Sequence, residues 1–115
     1  MCRYHESELY SHLFPTGKDG VLYRPKFFTD RVFDSSFLRL SPYNDDIWFK
    51  FMTSMNNVPV ALVNTYKADD FVELPRKNRA KLWDKNSDPD FELNNDKQIA
   101  NVVAYGRQVG EPVWY

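Results

Sequence analysis

The clearest periodicity in the chain lies between Asn44 and Asn57. Ile47, Trp48, Phe51, Met52 and Met55 recur at i, i+1, i+4, i+5 and i+8, which is one apolar stripe of an α-helix. Asn44 stands where an N-cap belongs, Asp45 and Asp46 fill the first turn, and Asn56–Asn57 closes the helix. The following "VPVALVN" reads as a short buried strand with Pro59 at its start or edge, because proline has no N–H to give to a ladder. A second helix starts near Asn94 or Asn95, puts Ile99, Val102, Val103 and Gly106 on one face, and runs to about Gln108. A helix, a turn and a strand in this order predict an α/β fold with short strands and two main helices.

Elsewhere the pattern is weaker. "GKDGVLYRP" reads as a Gly-rich turn leading into a short strand, Val21 to Tyr23, that Pro25 stops. "FFTDRVFDSSFLRL" offers Asp34 or Ser35 as the cap of a short helical turn. The polar stretch from Thr65 to Asp96 reads mainly as loop, with a short strand or turn near Lys81 to Trp83, and "GEPVWY" as a tail outside the packing. No repeat, low-complexity tract or linker divides the chain, so residues 1–115 read as a single domain.

Fifteen basic residues against sixteen acidic ones, without a long basic run, leave no electrostatic footprint for nucleic acid. One cysteine, Cys2, rules out an internal disulfide and suits a reducing compartment, so the cytoplasm is expected. No apolar run nears the ~20 residues of a transmembrane helix, and the polar start "MCRYHESELYSH" is no signal peptide. The aromatic share, 17%, is high, and several aromatics adjoin charges, as in "DDIWFKF" and "KLWDK". Flat apolar faces beside carboxylates suit sugar or base recognition, although aromatics also simply fill small cores.

Asp45 and Asp46 admit two readings. Carboxylates in a first helical turn offset the positive end of the helix dipole, worth roughly 0.3–1 kcal/mol each, and spacing alone favours this role. The other role is a general base on a rigid helix start, taking a proton from an attacking hydroxyl. Consecutive helical residues point about 100° apart, so only one of the pair can aim at a given hydroxyl. The second is then cap or support.

Taken together, "GKDGVLYRP", "SPYNDDIWFKFM", "NNVPVALV", "LWDKN" and "NNDKQIANVVAY" resemble, in order and spacing, the C-terminal part of a bacterial family of GT-A-type glycosyltransferases linked with surface polysaccharides such as capsule and lipopolysaccharide. That family shows a "GxGGVLYPP"-like segment, an "ADDIWF" helix start and a late "ND.Q" helix start. The resemblance spans roughly Gly17 to Tyr105, with "DDIW" and "GVLY" its most specific parts. It implies a partial GT-A-like fold and sugar transfer, with inversion, from a nucleotide-sugar donor to a saccharide acceptor. It also implies Asp46 or Asp45 as catalytic base and Gly17, Gly20, Tyr23, Trp48, Asn95 and Asp96 beside the substrate. In the full-length family a divalent metal, Mn or Mg, is implied as well. Two departures stand out: "GKDG" is less glycine-rich than the family form, and Arg24 replaces a proline.

No apolar strand followed by Asp-x-Asp precedes Gly17, and "DPD" at 88–90 matches only in letters, so no metal ligand is assigned. The expectation is an acceptor-side portion that lacks the nucleotide-binding half, is inactive alone, and works with a partner chain supplying that half. Its expected place is the cytoplasm, including peripheral association with the inner face of the membrane. The alternative is a non-catalytic saccharide- or protein-binding module, or a truncated remnant.

Other patterns are thin. Asp84, Asn86 and Asp88 open like a calcium loop, but Pro89 stands where glycine is required and Asn95 where a bidentate glutamate belongs. His5 and His12 have no matching Cys or His pair for zinc. No P-loop or acyl-transfer motif occurs.

Overall fold

The computed structural model describes residues 9–10, 12–62, 72, 75 and 81–110. Among them the order is β1 (Leu9–Tyr10), three 3-10 turns (Gly17–Asp19, Pro25–Phe27, Asp30–Phe33), α1 (Phe37–Leu40), α2 (Asp45–Met55), β2 (Val60–Ala61), α3 (Leu82–Asn86) and α4 (Asn95–Gln108). The described fold is mixed α/β but dominated by helices. Its strands form one short antiparallel ladder, Leu9 opposite Ala61 and Tyr10 opposite Val60. No described helix is long and apolar enough to cross a membrane.

α2 is the central element. Asn44 caps it as its spacing predicts, its side-chain oxygen accepting the Asp46 N–H at 3.1 Å. Asn57, in the left-handed region at φ 54°, ends it. The Asn56 side chain also donates to the Phe27 carbonyl at 3.0 Å, pinning this end of α2 to the second 3-10 turn. Ile47, Trp48, Phe51 and Met52 are buried and Met55 packs against them, so the apolar stripe is the core. Burial goes beyond that stripe, because Lys50 and Thr53 are buried too. Thr53 spends its hydroxyl on the carbonyls of Phe49 and Lys50, and burial lowers the Lys50 pKa by penalising its charge.

α4 packs across α2 on the face read from its periodicity. Val102 is fully buried in the shared core. At Gly106 the helices come so close that an added Cβ would lie 2.6 Å from the Phe51 ring, so glycine here is a packing requirement. Trp48 donates its indole N–H to the Val32 carbonyl at 3.1 Å and rings with Phe37, Phe51 and Tyr105 at centroid separations of 6.0 to 6.2 Å. The Tyr105 hydroxyl donates to Asp34, tying α4 to the turn before α1.

Four local expectations are corrected. The strand in "VPVALVN" is Val60–Ala61 and is not buried: Val60 is half-buried and Ala61 exposed. Val21–Tyr23 forms no strand with any described segment: Pro25 opens a 3-10 turn directly after it, and the Tyr23 ring packs instead on Phe28 and Phe49 at 5.3 and 5.5 Å. The short helix α1 takes Ser36 as its N-cap, while the Asp34 carboxylate accepts the Ser36 N–H at 2.9 Å one turn earlier. The region near Lys81 to Trp83 is the start of a helix, not strand or loop. Its capping bond runs from the Lys81 N–H to Asp84, 3.3 Å; since only Asn86 of α3 is buried, it has no apolar period to read. Residues 63–71, most of 73–80, Cys2, His5 and 111–115 of the tail lie outside the described residues.

Gly106→Ala should destabilise the protein by about 1–3 kcal/mol, as overpacking of a tight contact does, read as a lower urea midpoint. A Gly106→Ala protein as stable as the wild type would contradict the close α2–α4 approach.

Candidate functional site

The starts of α2 and α4 are joined side to side. The Asn44 side-chain amide donates to Asn95 at 2.9 Å, so one residue both caps α2 and reaches the first turn of α4. One residue upstream, the Tyr43 N–H donates to the Gln98 side-chain oxygen at 3.0 Å. The Gln98 amide nitrogen donates to the Leu93 carbonyl at 2.9 Å and to Asn86 at 3.4 Å. Asn86 in turn donates to the Tyr43 carbonyl at 3.0 Å. Gln98 is 0% exposed, yet its amide is fully used, which is the condition under which a buried polar group is tolerated. Lys85 adds a cation over the Tyr43 and Phe91 rings, 5.5 Å from each centroid.

Beside this joint opens a cleft of about 430 Å³. The start of α2 supplies Asn44, Asp45 and Asp46; α3 supplies Leu82 and Trp83; Asn95 comes from α4; Phe14, Thr16 and Lys18 come from the N-terminal segment. Asp46 is the most constrained of its charged groups. Its Oδ2 accepts the Gly17 N–H at 2.8 Å across a sequence separation of 29 residues. A Cβ on Gly17 would sit 2.8 Å from Oδ1, so a larger residue here would have to push the carboxylate from its present place. The glycine-led turn of "GKDG" therefore docks directly on the first aspartate-bearing turn of α2.

Of the residues implied by resemblance, Asp45, Asp46 and Asn95 line this cleft, and Gly17 reaches it through Asp46. Asp45 is exposed. Gly20 ends the first 3-10 turn at φ 100° with open space around it. Trp48 is 2% exposed and lies in the core under α2. Asp96 is exposed in the first turn of α4. Tyr23 does not line the cleft but is electrostatically coupled to it: burial first, then the charges of Asp46 and Asp45, raise its pKa to about 12. Its hydroxyl is buried and meets no hydrogen-bond partner among the described residues.

Sequence reasoning missed Gln98, named Asn86 only within a calcium-like pattern, and marked Trp83 only as one of several aromatics beside charges. Gln98 had a signal, since it sits four residues before Val102 and eight before Gly106, on the buried face of α4. Asn86 had none, its role depending on a fold-level contact with Tyr43.

The calcium-like residues do not converge. Asp84 caps α3, Asn86 turns inward, and Asp88 accepts the Asp90 N–H at 2.9 Å. Among the described residues no three His, Cys, Asp or Glu side chains are grouped to hold a metal ion, and Asp46 is engaged with the Gly17 amide. No family model, no curated protein and no solved structure matches the chain.

Gln98→Ala would strand the Tyr43 N–H and the Leu93 carbonyl and should cost about 1–3 kcal/mol in urea unfolding; an unchanged midpoint would remove the joint from the account. Folding raises the Tyr23 pKa, so its contribution to stability is whole below pH ~10 and fades as pH climbs toward about 12. Tyr23→Phe should therefore lessen the alkaline loss of stability, measured by denaturant unfolding between those pH values, and an identical profile would contradict the burial of its hydroxyl.

Proposed function

We propose that this chain is the acceptor-side part of a GT-A-type glycosyltransferase, transferring a sugar with inversion from a nucleotide-sugar donor to a saccharide hydroxyl. The observation that carries the reading is Asp46, a carboxylate fixed at a helix start on the wall of an open cleft. At about 430 Å³ the cleft falls within the range of small-ligand sites, which is ~300–1,000 Å³.

The chemistry follows from the two oxygens of Asp46. Oδ2 is held by the Gly17 amide, which fixes the carboxylate and leaves Oδ1 to accept the proton of an acceptor hydroxyl. As that proton moves, the hydroxyl oxygen bonds to the anomeric carbon of the donor and the nucleoside diphosphate leaves with the electron pair of the broken bond. A base held in place before the reaction spends little on reorganisation. Asp45 supports the acceptor at the rim, and Asn95 is an amide placed for sugar hydroxyls. Such an enzyme would draw its nucleotide sugar from the cytoplasm and build surface polysaccharide at the inner face of the membrane. No step is assigned to a metal.

A second reading, a non-catalytic saccharide-binding module, is favoured by the charges that the described residues bring to the cleft: two carboxylates against one lysine, Lys18, a poor setting for a diphosphate. Turnover separates the two. Asp46→Asn keeps an oxygen for the Gly17 amide but cannot take up the proton, so transfer should fall by roughly 10²–10⁴-fold with the thermal midpoint unchanged. A radiolabelled-sugar transfer assay on the chain supplemented with a bacterial extract that supplies the donor-binding half checks this, and transfer unaffected by Asp46→Asn would overturn the role of the base.

A further inference from the structure

We infer that Trp83 is the stacking platform for an uncharged sugar ring in this cleft, an inference that rests on the saccharide reading and names the ring-binding residue within it. Trp83 is 67% exposed and its neighbour Leu82 55% exposed, so two large apolar side chains of α3 stand in solvent at the cleft that holds Asp45 and Asp46. An exposed tryptophan contributes little to the fold, yet α3 is fastened in place. Asn86, three residues on, donates to the Tyr43 carbonyl at 3.0 Å, and Lys85 lies over the Tyr43 and Phe91 rings. Tyr43 directly precedes the cap of α2. The α3 backbone that carries the indole is thereby set at a defined position relative to the aspartates, although α3 itself is only five residues long.

The combination is specific in its chemistry. A pyranose ring has one face of C–H groups, which an indole covers, and an equatorial rim of hydroxyls, which need hydrogen-bond partners. The cleft provides both, with the Asn95 amide and the carboxylate of Asp45 for the rim. It also selects by charge. Among the described residues two carboxylates line it against one lysine, so a uronate or phosphorylated ring meets net repulsion from them, whereas a neutral hexose or N-acetylhexosamine does not.

The test is titration calorimetry of the full chain with neutral trisaccharides of glucose, galactose and N-acetylglucosamine, and with trigalacturonate as the charged counterpart. At least one neutral trisaccharide should bind, and trigalacturonate should bind more weakly. Trp83→Ala should weaken binding about ten-fold or more and Trp83→Phe by only about three-fold, because the flat face survives in phenylalanine. Neither variant should move the thermal midpoint. Binding by Trp83→Ala equal to wild type, or tighter binding of trigalacturonate, would overturn the inference. If the Asp46→Asn transfer defect still held, the proposed activity would stand without it. A wild-type chain that binds no saccharide, and whose addition to an extract supplying the donor-binding half brings no transfer, would overturn both.

Discussion

The Gln98 side chain is a primary amide closed off from water, and the arrangement of the helices around the cleft depends on its being satisfied from three directions. It accepts from the Tyr43 backbone and donates to the Leu93 backbone and to Asn86. Each bond adds only modest net stability, but leaving one unmade inside the protein costs more than it contributes when made. That asymmetry gives the network its force: the start of α2, the turn before α4, and α3 can pack around Gln98 in one relative placement. Apolar contacts between α2 and α4 supply the drive to associate, while the amide network chooses the register.

The site follows from this register. Once Asn44 and Asn95 are paired, the first turn of α2 stands at the mouth of the cleft, and Gly17 can bring its N–H to Asp46. The glycine contributes space and not an unusual backbone angle, since a methyl group there would displace the carboxylate it serves. Asn44 does the capping of α2, which leaves both aspartates facing the cleft and one of them anchored by the Gly17 amide.

Much of this could be read in the sequence. The 3.6-residue periods of α2 and α4 gave both helices and their caps to within a residue, because burial of an apolar face is a local pattern. What could not be read was whatever depends on distant partners. Val21–Tyr23 has strand-like residues, but the ladder is made by Leu9–Tyr10 with Val60–Ala61. α3 buries only Asn86, so no apolar period announces it. In the site, the aspartate pair was visible as a helix start, while its bond to Gly17 and the inward turn of Asn86 required the fold. Resemblance to glycosyltransferases supplied the chemistry that composition could not, and it remains the basis of the proposed activity.

The most direct measurement is amide chemical-shift mapping of the isotope-labelled chain during addition of a neutral trisaccharide. The account predicts that the largest changes fall on Gly17, Asp45, Asp46 and Asn95 and on the Trp83 indole, with the Trp48 indole in the core nearly still. Shifts confined to distant exposed apolar residues such as Leu22 and Phe33, with the Gly17 amide unmoved, would contradict the placement of a saccharide site at the joined starts of α2 and α4.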